Sequence, residues 1–203
     1  MGRPRQHDLD ALLDHARDLW VDGGPDAVTT RALVAASGAS NGAIYHAFGS
    51  RDGLVARVWA REAEAFLRHQ RDGVDEALAA GDPVQALVVA ATAPATHAAA
   101  DPSGAALLVS VHPPRLLTPG LDADGRSLLQ GLRAALDVLV TDLAAALWAR
   151  SDRAALLAVR HCVVELPGVL LLARAGRPDP ATVHVLDRAV RGVAADPPPL
   201  TPR

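Results

Sequence analysis

The chain has 203 residues, of which 50% are hydrophobic but only 3% aromatic, and it carries a net charge of −3. A single cysteine, Cys162, rules out an intrachain disulfide framework, and the acidic balance rules out binding to polyanions by bulk charge. With so few aromatics the core must be built from Leu, Val and Ala. Together with arginine as the only strongly basic residue type, this composition favours helices.

Leu9, Leu13, Ala16 and Trp20 recur at spacings of three and four, which predicts a first helix over about 7–23. Asp10, Asp14, Asp18 and Asp22 form an acidic row beside that apolar face, and Gly23-Gly24-Pro25 ends the helix. Thr29 or Thr30 caps a second helix that stops at Gly38. Ser40 caps a third, short helix ending near Phe48, and Ser50 caps a fourth that runs to about 80. Further helices are expected near 83–100, 103–111, 122–149, 152–175 and 179–195, with "VHPPRLLTPG" a Pro-rich connection and "DPPPLTPR" a frayed tail. No secretory signal opens the chain. The apolar run near 162–173 is broken by Glu165 and Pro167, which is expected to keep it short of a membrane span. The expectation is an all-α, cytoplasmic protein.

The second and third helices meet at "ASGAS", which makes a helix-turn-helix. Ile44 and Phe48 point into a small core. Ser40, Asn41, Tyr45 and His46 then lie on the outer surface of the third helix, where polar-tipped groups are available to a phosphate backbone. The bland alternative for Tyr45 and His46 is an amphipathic cap on that core. The acidic row of the first helix must face away from phosphates.

The segment "TTRALVAASGASNGAIYHAFGSRDGLV", within a match over roughly residues 8–57, resembles the signature of the TetR family of transcriptional regulators. Val34, Ala39, Ala47 and Arg51 depart from the usual residues of that pattern; Arg51 keeps the charge of the common lysine. The resemblance implies a three-helix, homeodomain-like head over 1–50 and a helical bundle over 51–196 for ligand binding and dimerisation, and the Pro-rich residues 197–203 are expected to form a disordered tail. It implies a homodimer that puts its third helices into the major grooves of double-stranded operator DNA. Thr29 or Thr30, Tyr45, His46 and Arg51 would hold phosphates. Arg31, Ser40, Asn41 and Gly42 would lie nearest the bases, with Gly42 allowing close backbone approach. The leading "GRPR" is similar to a basic arm, in which Arg3 and Arg5 reach an adjacent groove or serve only as solubilising charge.

Beyond residue 80 the readings stay open. His161 and Glu165 stand four apart on one helix face. They suit a metal site short of two ligands, a catalytic pair without a nucleophile, a structural pair in the core or dimer seam, or a handle in an effector pocket. Thr92, Thr96, His97, His112, Gln130 and Thr141 are the other polar handles for an unknown small-molecule effector. Val183, Leu186, Val190 and Val193 make a narrow stripe suited to a subunit seam. No catalytic residue, metal or cofactor is expected, and no membrane partner. The function expected is a ligand-responsive regulator, more specifically a repressor released by a small apolar effector. The alternatives are a helical interaction protein with a degraded head, or an enzyme using His161, Glu165 or Cys162.

Overall fold

The computed structural model describes residues 4–172 and 178–200, with side chains from Leu9 onward. Every regular element among the described residues is helical: α1 (Pro4–Gly23), α2 (Thr30–Ser37), α3 (Asn41–Phe48), α4 (Arg51–Ala79), α5 (Pro83–Ala100), α6 (Pro102–Ser110), α7 (Ala123–Trp148), α8 (Arg153–Arg160) and α9 (Pro180–Ala195), with short 3-10 turns at Pro25–Ala27 and Pro113–Leu116. The caps set these bounds. Thr29, Ser40, Asp82, Asp152 and Asp179 each accept from a backbone N–H in the first turn, and Pro83 and Pro180 occupy first-turn positions where the missing N–H costs nothing.

Packing divides the chain into two compact units, residues 1–64 with 106–132 and residues 65–105 with 133–203. The division falls inside α4, α6 and α7 and differs from the boundary read at residue 50. The three helices of the head do not close their core alone. Leu12, Leu13, Ala16, Trp20, Leu33, Ile44 and Phe48 are completed by Leu54 and Val58 of α4 and by Leu107 and Leu116. Polar contacts fix the same unit. The Trp20 indole donates to Ser110 Oγ (2.9 Å), Trp59 donates to the Leu108 carbonyl (3.2 Å), and Thr118 donates to Asp52 (2.7 Å). Arg17 and Arg61 flank the buried Glu62 at 3.1 and 3.7 Å. Gly53 is required sterically, because a Cβ there would lie 2.1 Å from the Phe48 carbonyl oxygen.

In the second unit α5 lies along α9, and both pack with α7, α8 and the turns after α8. The Trp148 indole donates to the Ala194 carbonyl (3.1 Å), and Arg150 donates to the Pro198 carbonyl (2.6 Å). The expected frayed tail is therefore tied at Pro198, while residues 201–203 lie outside the described residues. Pro167 does not end the helix that begins at Arg153. The chain continues through two π-helical turns, His161–Glu165 and Gly168–Leu172, whose wider ladder accommodates a residue without an N–H. By length and composition alone Arg153–Leu172 is thus long and apolar enough to cross a membrane, contrary to the expectation from sequence. One face of it, through Ala155, Val159, Cys162, Val163 and Leu171, belongs to the core of this unit.

The cap of α8 carries a pH signature. The Asp152 carboxylate accepts a forked pair of bonds from Arg150 (2.6 and 2.9 Å) and the N–H groups of Ala154 and Ala155. Chiefly through Arg150, this holds its pKa at about 2 instead of 3.8. The folded state binds this proton less readily than the unfolded one. The contribution is therefore complete above pH 3.8 and disappears as pH falls through about 2. Asp152→Asn keeps the cap but not the charge. Its stability deficit, read by denaturant unfolding across the acid range, should shrink toward zero between these two values; a deficit independent of pH would contradict the assignment.

Candidate nucleic-acid interface

Helix α2 starts where Thr29 Oγ1 accepts from the Ala32 N–H (3.1 Å) and ends at Gly38, whose φ of +71° suits a residue without Cβ. Ser37 donates to the Leu33 carbonyl (2.6 Å) and accepts from the Ala39 N–H (3.2 Å), tightening the turn. Ser40 then caps α3 by accepting from Ala43 (3.2 Å). Leu33, Ile44 and Phe48 are buried, which fixes the rotation of both helices. The opposite face of α3 is open: Ser40, Asn41, Gly42, Tyr45 and His46 are all exposed, Tyr45 by 69%.

Neither α2 nor α3 contains a carboxylate. The acidic row of α1 is exposed, and Asp14 pairs with Arg61 of α4 at 2.8 Å. The outer surface of α3 therefore presents donors, an imidazole and an aromatic hydroxyl, together with the positive end of its own dipole. This is the chemistry of a face that meets phosphates and base edges.

Residues 12–58 match the family model described as bacterial regulatory proteins, tetR family. The chain carries a TetR-type N-terminal domain over these residues. No curated protein sequence matches it significantly. Among solved structures it is similar to the superantigen PfiT (19% identity, TM-score 0.67, covering 90% of this chain and 94% of that one). It is also similar to the TetR family transcriptional regulator PfmR from Thermus thermophilus (19%, TM-score 0.59, 90% and 96%) and to the fatty acid degradation regulator FadR from Bacillus halodurans (16%, TM-score 0.63, 91% and 98%). At these identities the likeness is one of fold, and a fold shared with a superantigen does not by itself carry DNA binding. The TetR-type match is confined to the head.

The TetR-type head contains most of the residues expected to touch DNA, with three differences. Arg51 is engaged within the protein: Nε donates to the Val28 carbonyl (3.0 Å), and Nη2 donates to the Pro25 carbonyl (2.8 Å) and to Asp26 (3.3 Å). Its guanidinium braces the turn that feeds α2, a task for which planar forked donors are suited and a lysine is not. Thr29 has committed an oxygen lone pair to its cap, while Thr30 is the first residue of α2 and Arg31 is exposed. Arg5 stands in the first turn of α1 because that helix begins at Pro4, and Arg3 lies outside the described residues.

The expected effector handles are dispersed. His112 and Gln130 belong to the first unit and are exposed. In the second unit Thr141 is exposed and donates to the Asp137 carbonyl (2.8 Å), and Thr92 donates to Val88 (2.8 Å). His161 and Glu165 are both exposed on the single chain, so the buried pair anticipated from their apolar surroundings does not form within it; their face of the helix turns outward. Cys162 points inward, and burial pushes its thiol up to about 11, which makes it a poor nucleophile near neutrality.

Only Thr96 and His97 join a cluster. His97 is buried, with its ring 5.4 Å from Phe66 edge-on and 5.7 Å from His69, and His69 meets the Thr96 hydroxyl at 2.8 Å. Gln70, beside them on α4 and 1% exposed, was not anticipated. Nothing in the periodicity of α4 distinguishes a buried glutamine from a solvated one.

The expected subunit stripe lies against the core of its own chain. Leu186 and Val190 are fully buried in the core of a single chain, with Val183 and Val193 packed at its edge. The row is apolar because α9 covers α5 of its own chain.

Proposed function

We propose that the protein is a homodimeric transcriptional repressor whose α3 enters the major groove of operator DNA and which a small, largely aliphatic effector releases. Gly42 is the observation that carries this reading. It sits inside α3, where glycine disfavours a helix by roughly 0.5–1 kcal/mol relative to alanine. Its φ is not in the left-handed range, and an added Cβ would meet nothing nearer than Ser40 Oγ at 3.9 Å. The fold therefore makes no demand for glycine there. A surface pressed against α3 from outside does, and the open face of Asn41, Tyr45 and His46 around it suits a nucleic-acid groove.

A two-fold symmetric partner is needed to span two half-sites. The outward side of the run after Arg153 carries Leu157, Val169 (71% exposed) and Leu172 in one row with His161 and Glu165, and α9 carries Val185 (57% exposed). We assign the seam to this row, with His161 and Glu165 as polar members of it. An effector that prefers the wrongly spaced pair of heads lowers operator affinity by its differential binding energy; about 1–3 kcal/mol corresponds to roughly 5–150-fold.

Tyr45→Phe tests the placement of α3. Losing a phosphate contact should weaken binding to every duplex by a similar factor, whereas Asn41→Ala should change sequence preference. Fluorescence anisotropy at several salt concentrations reads both. Unchanged affinity of Tyr45→Phe throughout would mean that α3 does not lie in the groove as proposed.

A further inference from the structure

The second unit contains a polar arrangement that its helix geometry explains only in half. Pro94 lies inside α5 and is buried. Having no N–H, it leaves the carbonyl four residues earlier, that of Ala90, without its helical donor. Gln70 of α4 supplies the replacement: its Nε2 donates to the Ala90 oxygen at 2.8 Å. That bond also fixes the orientation of the amide, since the turned amide would set oxygen against oxygen. Its other atom, Oε1, is then a buried acceptor with no hydrogen-bond partner. A side chain introduced only to mend a helix leaves such an oxygen at a cost of roughly 1–3 kcal/mol.

The same two helices carry further polar and aromatic groups. The Phe66 and His97 rings meet edge-on at 5.4 Å, His69 meets the Thr96 hydroxyl at 2.8 Å, and Ala90 and Ala93 are buried on α5. Further along the same helix pair a Cβ on Gly73 would lie 2.7 Å from Val89, so the backbones approach closely there. We infer that Gln70 Oε1 is the recognition group for the effector, and that the effector is an aliphatic molecule bearing a neutral hydrogen-bond donor, an amide N–H or a hydroxyl. An anionic head is disfavoured at Oε1 itself, which offers only lone pairs. This inference rests on the effector-responsive reading above and specifies its ligand chemistry.

The test uses the full chain and three probes, octanamide, N,N-dimethyloctanamide and octanoate, by isothermal titration calorimetry at neutral pH. Octanamide should bind, and the two heads without a neutral donor should bind more weakly by roughly tenfold or more, the scale of one buried hydrogen bond. Gln70→Met alone should lower Tm, because Ala90 loses its donor. Adding Pro94→Ala, which restores a helical N–H to that carbonyl, should recover Tm but not octanamide affinity. If the three probes bind the wild type equally, or the recovered double variant binds octanamide as the wild type does, Gln70 is not the recognition group while an aliphatic pocket stands. If no probe binds the wild type at millimolar concentration, this inference and the aliphatic effector fall together.

Discussion

Leu186→Asp should abolish the folded second unit, whereas Val169→Asp should leave each chain folded and separate the two subunits. The contrast follows from where the side chains point. Leu186 has no exposed surface in the single chain and packs in the core that α9 shares with α5. The described residues of that core are apolar, and burying an unpaired carboxylate among them costs several kcal/mol, on top of the roughly 2–5 kcal/mol lost with the leucine contacts. That sum rivals the whole stability of a typical domain, about 5–15 kcal/mol. Val169 is 71% exposed, the highest value among the large hydrophobic residues of the run that follows α8, so an aspartate there should change the stability of a single chain by no more than about 0.5 kcal/mol. At a closed two-fold seam it would put an unpaired charge on each side. Circular dichroism melting and sedimentation velocity separate the outcomes. A folded Leu186→Asp chain would contradict the placement of α9, and an undisturbed Val169→Asp dimer would move the seam elsewhere.

Gly42 should give the second large effect, with stability and function moving in opposite directions. Gly42→Ala should stabilise the head by about 0.5 kcal/mol, because α3 gains a better helix former and the space for its Cβ is open. The same methyl group should lower operator affinity by roughly tenfold, since it displaces backbone from a groove surface. Gly42→Leu should fold and bind no operator. Thermal melting and anisotropy on the same preparations read both quantities. An alanine variant with more stability and full affinity would remove α3 from close contact with the bases.

Much of this arrangement was legible in the residues because it is local. The caps at Thr29, Ser40 and Ser50 announce helix starts from side chains one to three residues away, and Ile44 with Phe48 fixes the open face of α3 within one turn. What was not legible depends on distant partners. Arg51 reads as a phosphate anchor until the carbonyls of Pro25 and Val28, more than twenty residues earlier, are found beside it. The row Val183, Leu186, Val190, Val193 has the same periodicity whether it meets a partner or its own core; only the position of α5 decides. Glu165 and Pro167 look like interruptions in a string of letters, yet π-helical turns carry the chain through both. The Gln70–Ala90 bond joins a helix defect to a residue on another helix, and no spacing rule links them.

The central claim is that the open face of α3 reads a duplex sequence. Selection of bound duplexes from a random pool by the full-length protein, followed by affinity measurements on the enriched duplex at rising salt, tests it most directly. The account predicts enrichment of a two-fold symmetric sequence whose half-sites repeat at about one helical turn or a multiple of it. It also predicts affinity that falls with salt as phosphate contacts are screened, and a shifted preference for Asn41→Ala. No enriched sequence at any salt concentration, or enrichment that Asn41→Ala and Gly42→Leu leave unchanged, would contradict it.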